Sequence, residues 1–341
     1  MKNHRIVLAA RPTGEATTEH FRLEPVDVPP VPDGHVLVRV HYLSLDPYMR
    51  MRMNDGKSYA APVAVGEVMV GATVGEVLES RHEGYAVGDR VVCGGGWQEL
   101  AVVDARAPGV MRKVDADSAK HGIPLSAYLG AVGMPGVTAW VGLNHFIEPK
   151  AGETIVVDAA SGAVGSAVGQ LAKAKGCRVV GLAGGADKCA YVAGELGFDA
   201  CIDYKAHRDF ASLAAALDAA APKGVDGLFE NVGGLILDVV LSRMNVFGRV
   251  ALCGLISGYE GEPLAIHNAR LLLTQRLKLQ GFIVSEHMAV WPEALKELGT
   301  LVATGKLRAR ESIAQGIEAA PQAFLGLLKG RNFGKQLVKL I

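Results

Sequence analysis

The sequence predicts an α/β protein: a β-rich head followed by a doubly wound parallel sheet. Three observations carry that expectation. The first third of the chain holds short runs of alternating apolar and polar residues, with few helical patterns. From Val132 onward, short apolar runs alternate with helical segments, the pattern of a parallel sheet covered by helices on both faces. Within that region, residues 154–189 read TIVVDAASGAVGSAVGQLAKAKGCRVVGLAGGADKC. That is strand, glycine-bearing turn, helix and strand, one βαβ unit.

The elements follow in order. Residues 25–32 are proline-rich and read as an extended edge or loop, and HVLVRVHY at 35–42 alternates like a half-buried strand. Residues 68–77 repeat that theme, with Gly71 and Gly75 as bends or bulges. A turn at 84–93 leads into another strand, and 97–103 gives a further one. Residues 137–146 are helical, and the βαβ unit follows. Then come a helix at 188–196, a short strand at 200–202, an alanine-rich helix at 209–221 and a strand at 225–230. A helix at 235–244, a strand at 249–254, a helix near Trp291 and a last strand at 335–340 complete the pattern. The expected division is a domain of residues 131–294 inserted into one made of 1–130 and 295–341, the tail rejoining the head.

Composition excludes several classes. Lys plus Arg and Asp plus Glu are equal at 35 each, so no net charge points to nucleic acid or an acidic membrane. The five cysteines, Cys93, Cys177, Cys189, Cys201 and Cys253, are scattered without a CxxC pair. An odd, unpatterned set fits a reducing compartment rather than a disulfide framework. The apolar run at the start is too short for a signal peptide. Residues 154–172 have nearly the length of a membrane span but carry Asp158, Gln170 and small turn residues, which a βα unit explains better. The expectation is a soluble cytoplasmic protein.

The glycine turn carries chemistry. Gly162, Gly165 and Gly169 allow a backbone to approach a pyrophosphate and a helix to pack on its strand. The helix N-terminus offers N–H groups and a positive dipole end to phosphate. The spacing, AxxGxxGxxxG from Ala159, departs from GxGxxG, and a tight βα turn without a ligand uses the same residues. Strand before and helix after favour the dinucleotide. At the tip of the second strand, where an NAD site has an acid for the ribose 2′-OH, stand Ala183, Gly184 and Gly185, followed by Lys188. A missing carboxylate and a nearby cation favour NADP(H). Asp187 reads either as a displaced ribose ligand or as a first-turn acid of the next helix, and its place after the Gly-Gly turn favours the second. Lys188 alone reads equally as a phosphate ligand or a solvated helix residue.

No HExxH, clustered His/Cys set or GxSxG elbow occurs. LKGRNFGKQ imitates a P-loop, but one residue is missing between its glycines and Gln336 stands where Ser or Thr belongs. His41 and His82 read as structural residues rather than ligands.

The whole chain resembles the medium-chain dehydrogenase/reductase superfamily. Within it, the chain is most similar to the zinc-free branch of prostaglandin reductases, leukotriene B4 12-hydroxydehydrogenases, plant double-bond reductases and bacterial curcumin reductases. Eight ordered segments carry the resemblance: LSLDPYMR (43–50), GMPGVTAW (133–140), DAASGAVGS (158–166), AGGADKC (183–189), ENVGG (230–234), CGLISGY (253–259), GFIV (281–284) and GRNFGK (330–335). The resemblance implies a GroES-like catalytic domain with an inserted Rossmann domain, NADP(H) as cofactor, and a homodimer. It implies that Gly162, Ala163, Val164 and Gly165 bind the pyrophosphate, and that Lys188 and Tyr204 hold the 2′-phosphate. It also implies that Asn231 lies against the cofactor. Cys253, Gly254, Leu255, Ile256, Ser257 and Tyr259 pass near the nicotinamide ribose, Phe282, Ile283 and Val284 flank the nicotinamide, and Asn332 adds a contact from the tail.

The chain departs from the zinc-dependent relatives. Where they carry GHE, it reads VGEVMVG (65–71), and the four-cysteine structural lobe is missing. Metal-assisted alcohol oxidation has no visible machinery here. The expected chemistry is NADPH-dependent reduction of the C=C bond of α,β-unsaturated ketones and aldehydes. Tyr259, with Tyr48 second, would donate to the developing enolate. Each tyrosine has a packing role as its alternative, and water or the ribose hydroxyl can supply the proton. Two rival functions share the cofactor: a quinone oxidoreductase, and an NADPH-binding structural or regulatory protein.

Overall fold

The structure, a computed structural model, describes every residue except Pro108, Ala116, Ala119, Glu262 and Pro263. The chain divides into two compact units, Met1–Leu129 with Glu311–Ile341, and Gly130–Arg310. The expected boundary at 294/295 falls inside the helix Trp291–Ala303. That helix belongs to the second unit because it buries Ala294 and Leu298 and packs against the helix Met134–Val141.

The first unit is built on a seven-stranded sheet in the order Glu311–Gln315, Lys335–Lys339, His35–Ser44, Thr73–Ser80, Arg90–Cys93, Met111–Lys113, with Leu100–Asp104 paired to His35–Ser44. The C-terminal strand Lys335–Lys339 lies antiparallel to His35–Ser44. The strand expected at 68–77 begins later, at Thr73. The proline-rich segment is partly a strand: Phe21–Asp27, containing Pro25, pairs antiparallel with Lys2–Leu8 in a sheet of two, an edge position that tolerates proline. Trp97 centres one core, stacked on Phe21 at 5.4 Å and edge-on to Phe324 at 5.5 Å.

His41 occupies a bulge where the register with Thr73–Ser80 shifts between Val40 and Tyr42. Burial lowers its proton affinity, against the pull of Glu76. His82 accepts the Gly84 N–H at 3.0 Å and its ring meets Tyr85 at 5.5 Å. Both histidines have structural surroundings.

The second unit holds a six-stranded parallel sheet in the order Ala200–Asp203, Arg178–Ala183, Thr154–Val157, Val225–Glu230, Met244–Leu252, Lys278–Gly281. In chain order that is 3-2-1-4-5-6, the dinucleotide-binding topology, and it reverses between Thr154–Val157 and Val225–Glu230. Ligands in such sheets bind beyond the carboxyl ends of the strands at that reversal. The helix expected at 235–244 ends at Leu241, because Met244 already starts the next strand.

Helix Ala163–Ala174 lies close against the sheet because it carries glycine. A Cβ on Gly169 would sit 1.8 Å from the buried ring of Phe198. One face of the sheet is sealed by Val156, Val180, Leu182, Leu213, Leu217, Leu228 and Val240. Gly142, inside the π-helical turn Gly142–Ile147, leaves room for Phe229 and Phe282.

Candidate active site

The glycine turn stands at the carboxyl end of Thr154–Val157. Ala159, at φ 43°, is a left-handed residue without being glycine, and it turns the chain sharply out of the strand. Gly162 is the N-cap of helix Ala163–Ala174 and has extended backbone angles, and no side chain caps the helix. The first N–H groups of any helix lack intrahelical acceptors. Here they belong to Ala163, Val164 and Gly165, a set of N–H groups of the kind that can receive a phosphate.

The tip of Arg178–Ala183 forms the neighbouring corner. Gly185 is the N-cap of helix Ala186–Gly194 with φ 109°, and Asp187 is an exposed first-turn acid of that helix. The acid that does hold the turn is Asp203, whose Oδ1 accepts the Gly185 N–H at 2.8 Å and the Lys205 N–H at 3.0 Å. Its signal in the sequence was the D of DYK, one residue before Tyr204. Gly184 allows a close approach: a Cβ there would lie 2.8 Å from Lys205 Cε and 3.0 Å from the Tyr204 hydroxyl.

Lys188 faces the same corner. Burial, then the charge of Lys205, lowers its proton affinity. Tyr204 is half-buried, and burial, then Asp203, raises its phenol, so it remains a donor at neutral pH. Two mutually repelling lysines and a phenol beside a strand tip without an acid suit a 2′-phosphate dianion. Lys205 is the member that sequence reading missed.

The third part lies across the sheet reversal. The segment 253–257 is zipped onto the end of Val225–Glu230 by main-chain bonds: Cys253 N–H to Glu230 at 2.9 Å, Ile256 N–H to Asn231 at 3.1 Å, and Ser257 N–H to Val232 at 3.0 Å. Ser257 Oγ adds a bond to Val232 O at 2.6 Å. Asn231 and residues 253–259 are therefore one construction. Asn231 is anchored through its main-chain N–H and Nδ2 to Asp158 Oδ1, at 2.7 and 3.0 Å. The Tyr259 hydroxyl oxygen lies over this segment and accepts the Leu255 N–H at 3.4 Å.

Phe282 follows Lys278–Gly281, but its ring is turned into the core, stacked on Phe146 at 4.7 Å and edge-on to Phe229. Ile283 and Val284 are half-buried, and Val284 O accepts the Trp291 indole N–H at 3.2 Å.

Two expected residues belong to the first unit. Tyr48 opens the short helix Tyr48–Arg52, half-buried against the Trp97 core. Burial, then the Asp46 charge, pushes its phenol far up, so it is a neutral donor. Asn332 precedes the last strand and folds its Nδ2 onto Gly334 O at 2.7 Å. The false P-loop lysine, Lys335, is a buried structural cation: its Nζ reaches Asp46 Oδ1 at 2.7 Å and Leu45 O at 2.8 Å. Among the described residues no group of three or more His, Cys, Asp or Glu is arranged to hold a metal ion.

The parallel sheet, its uncapped glycine turn and the cationic corner define a dinucleotide-binding oxidoreductase. The chain belongs to the medium-chain dehydrogenase/reductase superfamily, in the branch of curcumin, alkenal and prostaglandin reductases. Residues 4–111 match the "N-terminal domain of oxidoreductase" family and 163–300 the "Zinc-binding dehydrogenase" family. The NADPH-dependent curcumin reductase of Escherichia coli is 46% identical over 99% of this chain and 97% of its own. The 2-alkenal reductase (NADP(+)-dependent) of Nicotiana tabacum is 40% identical over 99% and 97%. CurA of Vibrio vulnificus, solved in complex with NADPH, superimposes with a TM-score of 0.90 at 44% identity over 99% of both chains.

Proposed function

We propose that this protein is an NADPH-dependent reductase of the C=C bond of α,β-unsaturated ketones and aldehydes. The observation that carries the reading is the Lys188–Tyr204–Lys205 corner beside Ala183–Gly185, a strand tip with no acid of its own, whose neighbouring Asp203 is engaged with the Gly185 and Lys205 main-chain N–H groups. It occurs in a chain matched over nearly its full length by NADPH-dependent curcumin and 2-alkenal reductases.

When bound, NADPH supplies hydride to the β-carbon of the conjugated alkene. The residues of the chain do the rest. Gly162, Ala163, Val164 and Gly165 bind the pyrophosphate; Lys188, Tyr204 and Lys205 bind the 2′-phosphate. Asn231 and the 253–257 segment orient the ribose. Ile283 and Val284 flank the nicotinamide, with Phe282 acting through its backbone while its ring anchors the segment in the core. Tyr259 donates to the carbonyl oxygen, directly or through the ribose hydroxyl, as negative charge develops there. Its oxygen already accepts from Leu255, and a phenol in that position donates through its own hydrogen. The α-carbon then takes a proton, so one hydride and one proton saturate the bond and the carbonyl is regenerated.

Tyr259→Phe is expected to lower kcat about 10- to 100-fold, the usual size of losing one oxyanion donor or somewhat less. The NADPH Kd, read by fluorescence titration, should move less than about three-fold, well under the roughly ten-fold that a net 1.4 kcal/mol contact represents. An unchanged kcat would assign the proton entirely to the ribose hydroxyl or water.

The protein is further read as a homodimer. Lys278–Gly281 is an outer strand of the parallel sheet. In the same unit Val246, Phe247 and Leu273 are 46%, 65% and 78% exposed. An unpaired strand edge and exposed apolar side chains favour association. Sedimentation should give the mass of two chains, and a single-chain mass would remove this part of the reading.

A further inference from the structure

Two carboxyl groups at the sheet reversal have no part in the hydride chemistry. Asp158 directly follows Thr154–Val157, the first strand of the parallel sheet, and Glu230 ends the neighbouring strand, and both are 0% exposed. One N–H, that of Val232, donates to Asp158 Oδ2 at 3.1 Å and to Glu230 Oε1 at 2.7 Å, which sets the two groups side by side. Glu230 Oε1 also accepts the Gly233 N–H at 2.6 Å. Asp158 Oδ1 takes the main-chain N–H and Nδ2 of Asn231. Glu230 Oε2 is buried and meets no nitrogen or hydroxyl donor.

Two adjacent buried carboxylates cannot both stay ionised without a large cost. A proton on Asp158 removes one charge and supplies a donor to Glu230. Burial first, then the charge of Glu230 and the bond to it, holds the Asp158 carboxyl well above the ordinary carboxylate range, against the opposing Asn231 donors. The thiol of Cys253 is the other titratable group facing the pair, and burial, then Asp158 and Glu230, pushes it up to about 12.

We propose that Asp158 and Glu230 act as one acid pair that keeps a single proton and thereby fixes the 231–233 turn, with Asn231, beneath the cofactor. Both are positioning residues. The second half of this inference rests on the cofactor site proposed above, while the first half concerns the pair alone.

Two measurements on the cofactor-free protein test the pair. Infrared spectra at pH 8 should show the carbonyl stretch of a protonated carboxylic acid, and Asp158→Asn should abolish it. Asparagine carries its own N–H donor and needs no proton. An acid whose folded-state proton affinity is raised gives its stability below its unfolded-state value, about pH 4, and loses it as pH rises. The melting temperature of Asp158→Asn should therefore gain on wild type steadily from pH 4 to pH 8, by several degrees. Absence of the band, or a difference between the two proteins that does not vary with pH, would overturn the acid pair.

A third measurement tests the positioning. Asp158→Ala should weaken NADPH binding at least about ten-fold, as expected when hydrogen bonds to the turn are lost. Asp158→Asn should restore most of it. If Asp158→Ala bound NADPH as wild type does, the positioning role would fall. If wild type failed to bind NADPH, the cofactor site would fall and the positioning role with it, while the infrared band and the pH slope would still decide the pair.

Discussion

Lys335→Ala is expected to destabilise the protein by about 3–5 kcal/mol, the cost of removing one partner from a buried ion pair. Lys335 is 3% exposed and Asp46 is 5% exposed, so neither charge can be solvated when the other is lost. Asp46 also accepts from the hydroxyl of Ser44, and Lys335 Nζ also holds Leu45 O. The pair thus ties the last strand to the end of His35–Ser44, against which it is hydrogen bonded. Glu311, on the strand flanking the other side, has a carboxyl that burial raises and that Ser126 and then Lys335 lower again. Loss of the lysine therefore leaves Asp46 buried without its cation and removes the weaker pull on Glu311. Chemical denaturation would read the change. The double variant Asp46→Asn/Lys335→Met should recover part of the loss, because it leaves no uncompensated charge at Asp46. A single variant within about 1 kcal/mol of wild type, the level of a surface pair, would show that the pair does not hold the tail.

Lys188→Ala is expected to weaken NADPH binding about 10- to 100-fold while leaving NADH nearly unchanged. One charge-assisted contact to the 2′-phosphate contributes roughly 1.5–3 kcal/mol, and NADH has no such phosphate. The repulsion between Lys188 and Lys205 sharpens the expectation, since a dianion relieves it and a bare ribose does not. Lys205→Ala should act in the same direction with a smaller effect, because Lys205 is more exposed. Equal losses for both cofactors at Lys188 would remove it from the 2′-phosphate site and place its effect in the fold of helix Ala186–Gly194.

Much of this site could be read from the residues. The run from Thr154 to Ala183 fixes strand, turn, helix and strand because apolar period, glycine spacing and the Gly-Gly stop all agree at each step. The missing acid at Ala183–Gly185 pointed to the cofactor phosphate for the same local reason. What escaped is non-local. Asp158 and Glu230 are 72 residues apart in number and meet only because parallel pairing sets Val157 beside Phe229. Lys205 reaches Gly184 across neighbouring strands, and Asp46 meets Lys335 across almost the entire chain. The helix stops at Leu241 without a glycine or proline to mark it: Ser242 and Arg243 alone separate it from the strand that starts at Met244, and both residue types also occur inside helices. The head was read less well than the nucleotide unit, since Pro25 masks an edge strand whose pairing partner lies at the very start.

Hydride is expected to reach an alkene carbon of the substrate rather than its carbonyl carbon. Turnover of 3-nonen-2-one with NADPH bearing deuterium at the transferable nicotinamide position, the label being located by NMR and mass spectrometry, distinguishes the two. The expected product is 2-nonanone with one deuterium at the β-carbon and the ketone intact. Deuterium on the carbinol carbon of an allylic alcohol, or turnover of quinones with none of the enone, would contradict it.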